Sequence, residues 1–142
     1  MIKKLVVYGS FRKGGSRESI FPIPKKITRV KVQGMLMYAF PELGYPGAVI
    51  TDNKDDYIVG DILDFENLSN VQWKRLVKAL DQIERTDIGL FKRMVVKTEE
   101  GEACIYVFTD YQMLSYMKQL YEKYGKSLPL ISDWSEIDPS VE

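Results

Sequence analysis

An apolar run, Leu5-Val6-Val7-Tyr8, leads straight into Gly9-Ser10-Phe11-Arg12-Lys13-Gly14-Gly15-Ser16. A strand ending in such a turn exposes successive backbone N–H groups, and these can cradle an anion. Arg12 and Lys13 place positive charge beside it. Taken alone, the loop says only that something negative binds, and a plain strand-to-loop turn is the simpler reading. Glu84, far downstream, adds a carboxylate that could move protons on whatever the loop holds.

The loop is a near miss to a phosphate-binding P-loop. Gly15 stands where that motif needs Lys, and Pro22 and Pro24 close off the long helix that must follow it. A nucleotide-hydrolysing function is therefore disfavoured. A carboxylate or an oxyanion fits the loop better.

Glu84 belongs to a segment with helical period. Ser69 reads as its N-cap, and Trp73, Leu76, Val77, Leu80 and Ile83 form its apolar stripe. At ~100° per residue, Glu84 falls about 20° from Trp73, on the inner face. Asp81 sits at the stripe's edge. Burial and the negative end of the helix dipole both raise a carboxyl's pKa, which suits an acid/base working near neutral pH. Two alternatives stand beside this reading. The helix could end a turn earlier, leaving Glu84 solvated, or Glu84 could be a buried acid paired with Arg93 or Arg12.

Composition narrows the chemistry. None of the 142 residues is histidine, so Ser-His-Asp and Cys-His catalysis and most zinc or haem sites are removed. Proton traffic must use carboxylate, Lys, Tyr, Cys104 or water. Twenty basic and twenty acidic side chains cancel, so there is no electrostatic case for nucleic acid or a membrane surface. No apolar run approaches the ~20 residues of a membrane span, and no signal-peptide pattern opens the chain. A lone Cys104 cannot form an internal disulfide, and a reducing cytoplasm is the expected location. The length fits a single domain, residues 1–142.

The elements that must position these groups follow from pattern. Residues 3–9 read as a strand and 10–26 as a polar loop. Thr28 to Tyr38 alternates as one strand with Val30, Val32, Gly34, Leu36 and Tyr38 on one side. Pro41 to Gly47 reads as a loop turning at Tyr45-Pro46-Gly47, followed by a short strand from Ala48 to Thr51. Asp52 to Asp56 reads as a hairpin turn before a strand from Tyr57 to Phe65. Its three Asp lack the glycine and final Glu of a calcium loop. The helix to Glu84 comes next, then a hairpin of Leu90–Thr98 and Glu102–Phe108. A second helix, Asp110 to Tyr124, carries Leu114, Met117, Leu120, Tyr121 and Tyr124 and stops at Gly125. That stripe reads as core, or as the face of a homodimer. Cys104 reads as an inert buried thiol, and Trp73 and Trp134 as packing. The order is not a regular βαβα alternation. It predicts an α+β domain with a curved or closed, mainly β core flanked by helices.

The landmarks also occur in a familiar order. Tyr8-Gly9-Ser10-Phe11-Arg12-Lys13-Gly14 is followed by Gly34, Leu36 and Tyr38, by Tyr45-Pro46-Gly47, and by Ile58-Val59-Gly60-Asp61. Then come Leu80-Asp81-Gln82-Ile83-Glu84, Phe91-Lys92-Arg93, Ala103-Cys104-Ile105-Tyr106-Val107 and Asp133-Trp134. This ordered set, spanning almost the whole chain, resembles the gamma-glutamylcyclotransferase-like family. The sequence departs from that pattern at Phe11, where Leu is usual. It departs again at Arg85-Thr86-Asp87-Ile88, where Gly-Tyr commonly follows the Glu.

The resemblance implies a small, mainly antiparallel β-barrel flanked by helices, with a pocket at its mouth. It implies a cyclotransferase of the gamma-glutamylamine type. The alpha-amine of a gamma-glutamyl amide attacks its own gamma-carbonyl, releasing 5-oxoproline and a free amine. Glu84 would be the catalytic acid/base, and Tyr8, Gly9, Ser10 and Phe11 would bind the substrate. Phe11, Tyr45 and Phe91 could wall the pocket, and Tyr106 could donate a hydrogen bond. No metal or organic cofactor is implied. A second reading keeps the same fold as a non-catalytic module that binds a small carboxylate.

Overall fold

The computed structural model describes residues 1–40 and 43–142. Its strands are β1 (Lys4–Val7), β2 (Lys26–Gln33), β3 (Met35–Phe40), β4 (Tyr45–Ile50), β5 (Tyr57–Asp64), β6 (Phe91–Thr98), β7 (Gly101–Phe108) and β8 (Leu130–Ile131). Two helices, α1 (Asn70–Ile83) and α2 (Tyr111–Lys123), accompany them. Five strands form one sheet in the order β2-β5-β1-β7-β6, and three form another in the order β4-β3-β8. All pairings are antiparallel except β1 with β7, where Leu5 lies opposite Cys104.

The class is α+β, as the element order predicts. No hydrogen-bonded ring closes the strands into a barrel among the described residues. The larger sheet curls instead, until parts of its edge strands β2 and β6 come within 8 Å between Cα atoms. No helix among the described residues is long and apolar enough to cross a membrane.

Three sequence expectations change. The strand expected from Thr28 to Tyr38 is two strands, because Gly34 adopts a φ of 79° that side-chain-bearing residues rarely take. The buried face changes parity there, from Val30 and Val32 to Met35, Met37 and Ala39. The next strand starts earlier than expected, so Tyr45, Pro46 and Gly47 are extended rather than a turn. The start of the loop expected there, at Pro41, lies outside the described residues. The Asp52–Asp56 segment makes no hairpin. It carries the chain from β4 in the small sheet to β5 in the large one.

The core falls into two groups. One fills the space between the sheets around Val6, Ile58, Ile105 and Trp134. The other, rich in aromatic rings, lies under α1 and holds Phe40, Phe65, Trp73, Leu80, Phe91 and Phe108. Helix α1 starts where expected. Ser69 accepts from the Gln72 backbone N–H, and the Gln72 side chain accepts from the Ser69 N–H, a reciprocal cap. Trp73 and Leu80 are buried and Leu76 and Val77 half-buried, but Ile83 is exposed because it lies at the outer edge of the stripe. On α2 the expected stripe is only partly core. Leu114 is buried and Met117 and Tyr121 pack against the core, whereas Leu120 and Tyr124 are exposed.

Candidate functional site

Strand β1 ends against a fixed neighbour. A Cβ on Gly9 would sit 2.6 Å from the Pro46 Cδ, so only glycine lets the loop pass the β4 strand this closely. The Tyr8 hydroxyl donates to the Tyr106 carbonyl at 2.6 Å and accepts from the Ala48 N–H at 3.2 Å. One phenol thus ties the end of β1 to β7 and β4.

The loop then folds on itself. Arg12 N–H donates to Gly9 O (3.0 Å), Gly15 N–H to Arg12 O (2.8 Å), and Arg17 N–H to Ser10 O (2.9 Å). Arg12 does not face the anion cradle expected of it. Its side chain is fully buried on the far side, with Nη1 2.7 Å from Asp133 Oδ1 and Nη2 donating to the Glu142 backbone oxygen at 2.7 Å. Two motifs distant in sequence, the first loop and Asp133-Trp134, are joined by this pair. Lys13 pairs with Glu142 at 3.3 Å and is likewise outside the cradle.

With those cations turned away, the backbone remains. The N–H groups of Gly9, Ser10 and Phe11 donate to no protein acceptor among the described residues. Three successive unpaired donors are what an anion cradle requires.

Glu84 lies one residue past α1, and its N–H still donates to Leu80 O at 2.8 Å. Being four residues from the buried Leu80, its side chain shares the inner face. It lines one cleft together with Tyr8, Gly9, Ser10 and Phe11. Neither expected partner pairs with it, because Arg93 binds Asp81 at 3.1 Å and Arg12 binds Asp133. Burial pushes the Glu84 carboxyl up to about 7, while the nearby Arg17 cation pulls the other way. The backbone turns away immediately afterwards through Arg85, at a φ of 53°, and Arg85 pairs with Asp87 at 3.2 Å.

Tyr45, Phe91 and Phe11 wall the cleft as anticipated, with Leu80, Pro46 and Phe21. Tyr45 and Phe91 stack in a tilted pair 6.3 Å apart, and Phe11 meets Phe21 edge-on at 5.2 Å. The cleft encloses about 440 Å³ up to its open mouth, narrowed by these rings. The site is a slot, suited to a slender ligand.

Tyr106 is less available than expected. Its hydroxyl donates to Asp81 Oδ1 at 2.5 Å, and burial followed by that bond holds the phenol well above its ordinary range. The Tyr8 phenol is raised by burial and then by Glu84. Its hydroxyl is committed to backbone groups, so Tyr8 offers the cleft its ring and main chain. Cys104 is buried, and burial raises its thiol above the ordinary range.

Two cleft residues, Phe21 and Arg17, are absent from the motif reading. Arg17 lies half-buried in the slot, its Nε 2.7 Å from Ser10 Oγ and its Cζ 3.9 Å from the Phe11 ring centroid. It follows the glycine pair within a stretch whose polar composition signals only a loop. The one available hint is a cation seven residues after Ser10.

The same geometry sits on a known framework. A crystal structure of an uncharacterized protein from Pyrococcus horikoshii is 17% identical, with a TM-score of 0.59, covering 98% of this chain and 94% of that one. A solution structure from Arabidopsis thaliana is 15% identical, with a TM-score of 0.54 and coverage of 87% and 93%. A crystal structure of an aig2-like protein from Mus musculus is 13% identical, with a TM-score of 0.51 and coverage of 76% of each chain. These likenesses show the fold. No curated protein sequence matches the chain. The family model for gamma-glutamyl cyclotransferase, AIG2-like, matches residues 5–136, which is nearly the whole chain. By that match, carried on a shared fold, the chain belongs to the gamma-glutamyl cyclotransferase, AIG2-like family.

Proposed function

We propose that residues 1–142 form a single domain that is a cofactor-independent cyclotransferase acting on a gamma-glutamyl amide. The observation that carries this reading is one slot lined by both an acid poised near neutrality, Glu84, and three unpaired backbone donors at Gly9–Phe11.

The backbone N–H groups of Gly9, Ser10 and Phe11 hold the glutamyl carboxylate. Tyr8 and Phe11 wall the bound chain and help keep it folded, with the alpha-amine against the gamma-carbonyl. Holding both reacting groups of one molecule together removes a bimolecular encounter; effective molarities for such reactions reach ~10⁵–10⁸ M. The Glu84 carboxylate accepts a proton from the alpha-ammonium. The freed amine attacks the gamma-carbonyl carbon and a C–N bond forms. The Glu84 carboxylic acid then returns its proton to the leaving nitrogen as the old C–N bond breaks, and the second proton shed by the new ring nitrogen is taken up by the departing amine, which leaves as its ammonium. The products are 5-oxoproline and a free amine, and no water is consumed.

The test is release of 5-oxoproline from a panel of gamma-glutamyl compounds, by the wild type and by Glu84→Gln. The expected result is product from at least one compound with the wild type and none with the variant. Saturable binding without product in the wild type would instead favour a carboxylate-binding module. Turnover by Glu84→Gln equal to wild type would remove Glu84 from the mechanism.

A further inference from the structure

Arg17 is the one cation in the slot, and its two terminal nitrogens meet no hydrogen-bond or ion-pair partner among the described residues. It is not loose. The guanidinium is held at Nε by Ser10, lies over the Phe11 ring, and has the Tyr45 ring centroid 6.0 Å from its Cζ. Two aromatic faces and one hydrogen bond fix a planar fork whose outer edge has no hydrogen-bond partner among the described residues. No ion pair within 4.0 Å joins it to Glu84 among the described residues. A half-buried, preorganised guanidinium with no ion pair within 4.0 Å among the described residues matches a carboxylate or similar anion.

The glutamyl carboxylate has another place, on the N–H groups of Gly9, Ser10 and Phe11. The Ser10 hydroxyl is already engaged by Arg17. The anion that Arg17 meets therefore belongs to the other part of the substrate. Resting on the cyclotransferase reading above, we infer that Arg17 is a specificity-determining residue. It selects gamma-glutamyl amides whose leaving amine carries an anionic group.

Paired substrates test this. Gamma-glutamyl-alanine and gamma-glutamyl-alanine amide differ only in the charge of the leaving portion. Their kcat/KM ratio is measured for the wild type, Arg17→Gln, Arg17→Lys and Arg17→Glu. The wild type should favour the acid by roughly 10- to 100-fold. Whatever the absolute rates, the ratio should fall to near one in Arg17→Gln, recover in part in Arg17→Lys, and invert in Arg17→Glu. A merely structural role would lower both substrates equally and leave the ratio unchanged, which overturns the inference, as does a wild type indifferent to the charge. Calorimetric binding of the same two compounds to Glu84→Gln, with and without Arg17→Gln, reads the preference without turnover. A charge preference there that Arg17→Gln abolishes supports the inference even if the wild type releases no 5-oxoproline, an outcome that contradicts only the cyclotransferase reading. Equal binding of the two compounds overturns it whether or not product forms.

Discussion

At the residue scale the account rests on Glu84. A carboxyl raised by burial binds its proton more tightly in the folded chain than in the unfolded one. Its contribution to stability is full below its ordinary value of 4.5 and is lost as pH rises through about 7. The stability difference between the wild type and Glu84→Gln should therefore move in the variant's favour over that window, read by chemical unfolding at pH 5 and pH 8. Activity follows the opposite slope, because the base form does the work. The rate of 5-oxoproline formation should rise with an inflection near pH 7. Removing the Arg17 charge should move that inflection upward, since Arg17 is the cation that holds Glu84 down. Glu84 itself was legible from sequence, because its spacing from Trp73 and Leu80 fixes its face whatever the tertiary structure. Arg17 was not. It sits in a loop without periodicity, and only folding shows which way a loop side chain turns.

At the scale of elements, the site depends on two ends held in place. Helix α1 delivers Glu84, and its start is set by the Ser69–Gln72 reciprocal cap. Ser69→Ala should cost about 1 kcal/mol, read as a lower melting temperature with turnover retained. Strand β1 delivers the unpaired N–H groups of Gly9, Ser10 and Phe11, and its passage depends on Gly9. Gly9→Ala should force the loop away from Pro46, because a contact at 2.6 Å cannot be accommodated by a proline ring tied into β4. Loss of turnover with little change in secondary-structure content is the expected result, measured by the product assay and circular dichroism. Helix starts, the β6–β7 hairpin and the helix stop at Gly125 were all readable, since caps and turns are local. The division of Thr28–Tyr38 was not, because alternation continues through Gly34 and only its positive φ reveals the change of face. The Tyr45-Pro46-Gly47 strand was misread for a related reason. Turn-forming residues were tolerated there by the close approach of Gly9 and by Phe108, which would lie 2.8 Å from a Cβ on Gly47.

At the scale of the whole molecule, buried Arg12 fastens the first loop to the distant Asp133 segment, with Asp61 4.0 Å from its Nε. Arg12→Met should leave Asp133 without its buried partner, Asp61 keeping Arg29 at 3.2 Å, and destabilise the chain by about 3 kcal/mol, seen as an earlier urea midpoint. The motif order on its own pointed to the right α+β class and the right family. It could not show that Arg12 faces inward as scaffold while Lys13 pairs with Glu142 at the surface. Which charges are buried as scaffold and which line the slot is decided by the packing of β5 and the tail behind the loop.

The central claim is that one acid and one backbone cradle serve a single molecule held between them. Its most direct test is 5-oxoproline release at pH 8 by the wild type and Glu84→Gln side by side, with equal folding verified by melting. The account predicts product from the wild type and none from the folded variant. A folded variant that releases 5-oxoproline at the wild-type rate would contradict it.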